Sequence, residues 1–345
     1  MLAPTGVGNN IGVMKIRSIA VAFPADKIDN KTIAAWTGGD ENFISSKIGI
    51  ESRAFLGANE SMLDLSRAAC KNLFQHNAGL DKSNVGLLIV VTQNPDHRIP
   101  HSSAMLQNAL SLNVNTACFD ISLGCSGYVY ALSVARAFML AENIRDGILV
   151  TCDPYSKAMR RKDYETVSVF GDAATATWLS AEKGADIGSL DYGTDGSGAH
   201  HLMVKAGGSA YPLSGIWNEQ NSFYGGEDFY LRMNGRAIFN FMMKRVPGSV
   251  TACLRKNGLT AADIDYFIFH QASKYLIDNL RQRMDLEKEK VPIEINDCAN
   301  TVSSSIPLMI HRFMSRGLLV HKTILVSGFG VGLSWATNII RFGGD

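Results

Sequence analysis

The same local pattern occurs twice in this chain, and this repeat restricts the possible folds more than any other feature. In the first copy, an apolar run leads to Cys125, a stretch with helical spacing of apolar residues follows, and an Ile-Leu-Val segment begins at Ile148. In the second copy, an apolar run leads to Asn300, a similar helical stretch follows, and an Ile-Leu-Val segment begins at Ile324. The separations within the two copies are 23 and 24 residues. Each copy therefore predicts a strand, a special residue at a helix start, a helix and a second strand.

Two further predicted strands precede the copies, at residues 85–93 and 264–271. Each of them follows an amphipathic stretch, near 62–75 in the first case and 239–256 in the second. Strands that alternate with helices are typical of βαβ units, in which the sheets are mostly parallel and buried. We therefore expect an α/β fold with mostly parallel sheets.

The length of the chain favours two packed halves. Its 345 residues exceed the ~250–300 at which a single core usually stops growing. A polar turn at 182–184 precedes residues 185–192, which have the pattern of a strand. We expect two duplicated βαβ-rich halves, residues 1–184 and 185–345, joined near 181–186.

Cys125 lies where the predicted strand gives way to the predicted helix. A helix N-terminus carries partial positive charge and free backbone N–H groups, which stabilise a thiolate. We therefore expect the pKa of this thiol to fall from ~8.5 into the range ~3.5–7.5, which would make it nucleophilic. The alternative is a buried structural cysteine at a crowded turn.

His270 and Asn300 are predicted at positions equivalent to that of Cys125. In parallel sheets, functional groups gather beyond the carboxyl ends of the strands, so the three side chains are candidates for one site. Taken singly, His270 could be a packed histidine and Asn300 a helix N-cap. The glycine-rich run 328–332 lacks the G-x-G-x-x-G spacing and predicts a tight backbone turn that aims an N–H group.

Composition and charge exclude several classes of function. The net charge of +1 argues against nucleic-acid binding, and no stretch reaches the ~18 consecutive apolar residues of a membrane helix. Residues 1–10 have no signal-peptide pattern and are interpreted as a loose lead-in. The six cysteines contain no Cys-x-x-Cys pair, so we expect free thiols in the cytoplasm. The histidines lack metal-ligand spacing, and we expect no metal.

Several short stretches match one enzyme family when their order and spacing are considered together. They are 44–53, 119–127, 170–173, 233–235, 270–272, 300–307 and 328–335. With them the chain resembles the thiolase-superfamily condensing enzymes, and it is most similar to β-ketoacyl-[acyl-carrier-protein] synthase III from about residue 15 to residue 342. The resemblance implies the thiolase fold, a five-layer α-β-α-β-α sandwich.

The resemblance also implies roles for particular residues. Cys125 corresponds to the acylated nucleophile, and His270 and Asn300 to the pair that handles a malonyl unit. The backbone N–H groups of Cys125 and Val331 correspond to the oxyanion hole. The positions expected to bind substrate or its pantetheine arm are Phe43, Lys47, Tyr164, Gly235, Ser273 and Phe329.

The family further implies substrates and partners. Coenzyme A or acyl-carrier-protein thioesters would be the substrates, and no metal or redox cofactor would be required. A homodimer is expected, with the predicted edge strand at 119–124 near its interface. Candidate cations for docking an acidic carrier protein are Arg236, Lys244, Arg245, Lys274, Arg281 and Arg283.

Four residues depart from the pattern of the bacterial housekeeping enzymes. Phe43 replaces a Trp and Tyr164 replaces an Arg, both of which hold the adenine of coenzyme A in the family; Arg160, Arg161 and Lys162 are close by in sequence. Ser273 replaces an Asn, and Val331 replaces the glycine whose N–H completes the oxyanion hole. The chemistry survives these changes. A carrier-bound or larger acyl primer is therefore as credible as acetyl-coenzyme A.

The leading hypothesis is an acyltransferase that performs decarboxylative Claisen condensation in fatty acid or polyketide biosynthesis. The alternatives are acyl transfer without decarboxylation and a non-enzymatic partner subunit. Retention of Asn300 favours condensation, because simple transfer needs no enolate stabiliser. A hydroxymethylglutaryl-coenzyme A synthase would need a Glu base in the first half, where the strand end 91–93 offers none.

Overall fold

The computed structural model describes residues 14–181, 187–212 and 226–343. Thirteen strands lie in these ranges: β1 (Lys15–Ala22), β2 (Lys27–Asp29), β3 (Ser52–Ala54), β4 (Val85–Val91), β5 (Ala117–Ile121), β6 (Asp146–Cys152), β7 (Ala174–Ser180), β8 (Asp191–Thr194), β9 (Leu202–Met203), β10 (Arg232–Met233), β11 (Tyr266–Phe269), β12 (Thr323–Gly330) and β13 (Ser334–Arg341). The α-helices of the same ranges are α1 (Asn30–Thr37), α2 (Glu41–Phe43), α3 (Met62–His76), α4 (Ser102–Leu110), α5 (Gly127–Ala141), α6 (Tyr164–Val167), α7 (Gly235–Lys256), α8 (Lys274–Arg283) and α9 (Ser305–Ser315).

Two mixed sheets form the centre of the molecule. The first has the order β1-β7-β6-β4-β5 and the second the order β11-β12-β13-β8. Pairing is parallel for β4 with β5 and β6 and for β11 with β12, whereas the other neighbours in both sheets are antiparallel. The prediction of mostly parallel sheets was therefore wrong. The reason is clearest at β12 and β13, where the short turn between them allows only an antiparallel return.

The helices complete five layers. Helices α3 and α4 cover the outer face of the first sheet, α5 and α9 lie between the sheets, and α7 and α8 cover the outer face of the second sheet. In the central layer, Tyr128 and Leu132 of α5 are buried in the same core cluster as Met309 and Ile310 of α9. The predicted five-layer α-β-α-β-α sandwich is confirmed. Helices also formed at the four stretches with helical spacing, as α3, α5, α7 and α9.

One predicted strand of the second copy is absent. Residues 293–296 run beside β11 without forming a ladder with it. The side chain of Gln271 bridges the gap, because its Nε2 donates to Phe269 O at 2.8 Å and its Oε1 accepts from Glu294 N at 3.0 Å. Pro292, at the start of this segment, has no N–H group with which to extend a ladder.

The first sheet uses residues 15–180 and the second uses residues 191–341, and the division into halves 1–184 and 185–345 stays a prediction. The boundary predicted at 184/185, the joint at 182–186 and the lead-in at 1–10 lie outside the described residues. One segment of the first half is hydrogen-bonded to the second half. The backbone N–H groups of Glu51 and Ser52 donate to Asn296 O at 2.7 and 3.0 Å.

None of the helices in the described ranges combines the length and the apolar character that a membrane crossing would need.

Candidate active site

Cys125 lies in a turn between β5 and α5, directly before Ser126, the N-cap of that helix. Strand β12 of the other half packs against this turn. A Cβ atom added at Gly328 would lie 2.5 Å from the carbonyl oxygen of Cys125, and one added at Gly330 would lie 2.9 Å from its Sγ. Glycine is required at both positions because strand and turn approach this closely. The approach brings a strand of the second half directly against the sulfur of the first.

The thiol of Cys125 is 5% exposed, and its pKa is raised rather than lowered. Burial is the main cause and the nearby Asp153 carboxyl adds to it, whereas hydrogen bonds from the backbone N–H groups of Cys125 and Val331 lower this pKa. The expectation of a thiolate was wrong, because loss of water around the sulfur outweighs the helix terminus. The two N–H groups nevertheless lie at the sulfur, where an oxyanion hole would have to be.

His270 follows β11 and is buried. Its backbone N–H donates to Ser327 O at 2.8 Å, and its Nδ1 shares a hydrogen bond of 2.6 Å with Ser305 Oγ. The ring meets Phe329 edge-on, with the two ring centroids 5.7 Å apart. Burial lowers the pKa of His270 to about 3. The imidazole is therefore neutral at physiological pH, and its Nδ1 is engaged by the serine.

Asn300 is held through both its backbone and its side chain. Its N–H donates to Val169 O at 3.0 Å, and its carbonyl accepts from Gly171 N at 3.0 Å. Its Oδ1 accepts from Val302 N at 2.9 Å, which leaves the Nδ2 amide group as a donor. The flanking residues Ala299 and Val302 have positive φ values of 61° and 53°. Non-glycine residues seldom adopt this conformation, and it clusters at functional sites.

Cys125, His270 and Asn300 line one cavity of about 150 Å³. Apolar side chains make most of its remaining wall, among them Ile238 and Met242. A wider groove of about 580 Å³ shares Val169, Met233 and Gly235 with this cavity and opens to the surface. The structure thus brings the three predicted residues together at the inner end of one passage.

The predicted substrate-binding residues are distributed along this passage with one exception. Phe43, Tyr164 and Gly235 line the wider groove, and Gly235, Ser273 and Phe329 line the inner cavity. Ser273 is also the N-cap of α8. Lys47 is exposed and contributes to neither wall. Its assignment to the passage is therefore not supported, because the helical turn at residues 44–48 directs it outward.

Two residues at the site were missed by sequence reasoning. Ser305 is the partner of His270 Nδ1. Asp153, which follows β6, is buried, accepts from Gln93 N at 2.7 Å and from Ser303 Oγ at 2.5 Å, and so ties the strand ends to the turn that holds Asn300. Burial raises its pKa to about 6. The signal for Asp153 was a carboxylate directly after a buried strand; the serine run at 303–305 offered none that distinguishes its members.

Part of the predicted docking surface is neutralised internally. Arg245 pairs with Asp195 at 3.1 Å and Arg281 lies 3.8 Å from Asp278. Arg236 lines the wider groove. Within the described ranges, no group of three or more His, Cys, Asp or Glu side chains could hold a metal ion.

Comparison with known proteins identifies the family. The family model described as 3-oxoacyl-[acyl-carrier-protein (ACP)] synthase III matches residues 119–196, and that of the synthase III C terminal matches residues 254–342. The β-ketoacyl-[acyl-carrier-protein] synthase III of Streptococcus agalactiae serotype III (strain NEM316) is 31% identical over 330 residues, which cover 95% of this chain and 98% of the relative. This chain belongs to the β-ketoacyl-[acyl-carrier-protein] synthase III family.

Several solved structures have the same fold as this chain. A 3-oxoacyl-(acyl-carrier-protein) synthase III crystal structure is 34% identical with a TM-score of 0.89, covering 96% of this chain and 100% of that one. The priming β-ketosynthase of the R1128 polyketide biosynthetic pathway is 25% identical with a TM-score of 0.85, covering 96% and 97% of the two chains. The predicted thiolase fold and the predicted synthase III resemblance are confirmed.

Proposed function

We propose that this chain is an acyltransferase that loads an acyl primer on Cys125 and condenses it with a malonyl thioester, with loss of carbon dioxide. The observation that carries this proposal is the single cavity shared by Cys125, His270 and Asn300. A nucleophile, a neutral imidazole and an amide donor face the same space. Membership of the synthase III family supports the same reaction.

In the loading step, Cys125 Sγ attacks the thioester carbon of the primer. The backbone N–H groups of Cys125 and Val331 hold the oxyanion, and this role is supported by their hydrogen bonds to the sulfur. When the oxyanion collapses, the carbon–sulfur bond of the primer breaks. The proton of the Cys125 thiol ends on the departing pantetheine thiol. The exchange is balanced, so it needs no net proton donor.

In the condensation step, the carboxylate of the malonyl thioester leaves as carbon dioxide, and its bonding electrons form an enolate. His270 Nε2–H and Asn300 Nδ2–H donate to the enolate oxygen. The neutral imidazole and the bond between Asn300 Oδ1 and Val302 N support these roles. The enolate carbon attacks the acyl group and Cys125 departs as thiolate, which takes up one proton. The electrons of the broken bond form the new one, so the proposed sequence uses no redox or metal cofactor.

The proposed partners are an acyl-carrier protein and a second copy of this chain. The names of the relatives support the carrier protein. Strand β5 lies at the edge of the first sheet, and all five of its residues are half-buried. An edge strand of this kind is suited to be covered by a partner. The six free cysteines support a reducing compartment, and we place the activity in the cytoplasm. The pathway would be fatty acid or polyketide biosynthesis.

The test has two readouts on one sample. The protein is incubated with acetyl, butyryl and octanoyl thioesters and examined by intact mass, and carbon dioxide is then measured after addition of a malonyl thioester. We expect an adduct that Cys125→Ser abolishes and that Cys118→Ser, a change at a half-buried cysteine of β5, leaves intact. An adduct without carbon dioxide would support simple acyl transfer instead. The absence of an adduct with every primer would favour a non-enzymatic subunit.

A further inference from the structure

The mouth of the passage is the surface end of the wider groove, near Phe43, Tyr164 and Arg236. A second, polar groove adjoins this mouth and has no excess of positive charge. It measures about 400 Å³ and shares Glu165 and Met233 with the wider groove. Its charged side chains are three cations and three anions: Arg160, Lys162, Arg232, Asp163, Glu165 and Glu227. Their charges cancel, so the groove has little attraction for a polyanion.

Most of the cations around this mouth are already engaged. Arg160 forms an ion pair with Glu227, and Arg232 pairs with Asp228 at 3.0 Å. The guanidinium of Arg161 lies over the ring of Trp36, 4.3 Å from its centroid. Within the described ranges, Lys162 is the cation of the group without an ion pair or ring contact.

The two described aromatic side chains that line the wider groove, Phe43 and Tyr164, are poorly placed to hold a purine between two faces. Tyr164 donates its hydroxyl to Asp40 O at 2.8 Å. A Cβ atom added at Gly39 would lie only 2.1 Å from the Tyr164 ring, so that ring is pressed on the backbone. Phe43 is 48% exposed and has one side open to the groove.

We propose that this chain takes its acyl primer from a carrier protein in preference to coenzyme A. Coenzyme A carries a phosphomonoester of about −1.5 to −2 charge in addition to a diphosphate and an adenine. Among the described cations of the polar groove, Lys162 alone is without an ion pair and free to receive these groups. The arm of a carrier protein carries a single phosphodiester.

The exposed surface beside the mouth is suited to the phosphodiester-linked arm of a carrier protein. Arg236 lines the wider groove, and Lys274 lies against Gly49, which follows the groove residue Ile48. Both of these side chains are exposed. They are available to a phosphodiester and to the acidic surface of a carrier protein. This inference rests on the proposed loading of Cys125.

The experiment compares loading of Cys125 by one acyl group carried on coenzyme A, on pantetheine, which has no phosphate, and on an acyl-carrier protein. Intact mass gives the rate constants. We expect the carrier protein to load at least about tenfold more efficiently than coenzyme A, and pantetheine to load at least as well as coenzyme A. Equal or better loading from coenzyme A would overturn this inference and leave the proposed function standing. Failure of all three donors would overturn both.

A gain-of-function variant gives the charge argument its own test. Glu227→Gln releases Arg160, and loading from acyl-coenzyme A should improve about three- to fivefold, the range of a surface ion pair, while loading from acyl-pantetheine, which has no phosphate, stays unchanged. Glu142→Gln, at the far end of α5 from Cys125, is the matched control and should alter neither. An equal gain for both donors, or no gain for coenzyme A, would contradict the proposal.

Discussion

Replacing Ser305 with alanine removes the hydrogen-bond partner of His270 Nδ1, which lies 2.6 Å from Ser305 Oγ. When the serine hydroxyl donates to Nδ1, the ring proton is on Nε2, where it can be donated to the enolate oxygen. The substitution does not disturb the helix start, because the N-cap of α9 is Ser304 and no side-chain cap bond is present there. The expected defect is therefore in the orientation and tautomer of His270.

The magnitude follows from the worth of one buried hydrogen bond. A net contribution of about 0.5–1.5 kcal/mol corresponds to about 2- to 13-fold in rate, at 1.36 kcal/mol per tenfold. The unsatisfied Nδ1 of a ring that is 1% exposed places the effect toward the upper end of this range. We expect decarboxylation to slow roughly tenfold. Acyl loading should change little, because in the proposed mechanism His270 takes no proton in that step.

The assay measures the two half-reactions separately. Intact mass follows acylation of Cys125, and carbon dioxide release follows decarboxylation of a malonyl thioester by the acyl-enzyme. In protein with ¹⁵N-labelled histidine, the His270 resonances, assigned with His270→Ala, should shift away from the Nε2–H tautomer in Ser305→Ala. A variant that is only less stable, but still folded, would keep the His270 resonances of the Nε2–H tautomer.

The matched control is Ser304→Ala, at the preceding position. The Ser304 hydroxyl bonds Thr151 and the Ala173 carbonyl rather than His270. We expect this variant to lose stability without changing the ratio of decarboxylation to acylation. If Ser305→Ala slows both half-reactions equally, or leaves decarboxylation unchanged, the assigned role of the His270–Ser305 pair is wrong.

Three further expectations concern the surroundings of the site. Gly330→Ala should slow acylation about tenfold or more, because the added Cβ would lie 2.9 Å from Cys125 Sγ; normal loading would contradict this, and Gly248→Ala, whose added methyl meets nothing within 4 Å, is the control. Asn300→Ala should still form the acyl-enzyme but release carbon dioxide about a hundredfold more slowly, and undiminished release would remove its role as an enolate donor. Burial raises the pKa of Asp153 from 3.8 to about 6, so the folded state retains a proton that the unfolded state has lost; the contribution of this group is fully present below 3.8 and is lost as the pH rises through about 6. In urea unfolding between pH 4 and 6, Asp153→Asn should therefore change the pH-dependence relative to the parent by up to about 3 kcal/mol, and parallel curves would refute it.

The local pattern of apolar residues was enough to predict the repeated units. Helices α5 and α9 and strands β6 and β12 formed where the spacing placed them. Strand direction was less predictable, because it depends on which strands become neighbours. The segment at 293–296 carried the composition of a strand, yet Gln271 fills the gap beside β11 with its side chain.

The candidate site also contains residues that the sequence could predict and residues that it could not. Residue type and position were sufficient to select Cys125 and His270, which follow β5 and β11, strands of two different sheets. Asn300 was selected by the same pattern, although the strand expected before it is absent. Residue type and position were insufficient to select Ser305 among its neighbouring serines. They were also insufficient to assign Lys47 to the surface rather than to the passage. Such choices depend on side-chain directions that the sequence leaves open.

The sequence by itself determined which chemical groups are available and at which end of each strand they stand. Only the tertiary structure decided their protonation and their partners. Burial of Cys125 against β12 raises the pKa of its thiol although a helix begins beside it, and burial of His270 keeps the imidazole neutral. Desolvation depends on every neighbour that excludes water, and these neighbours come from both halves of the chain.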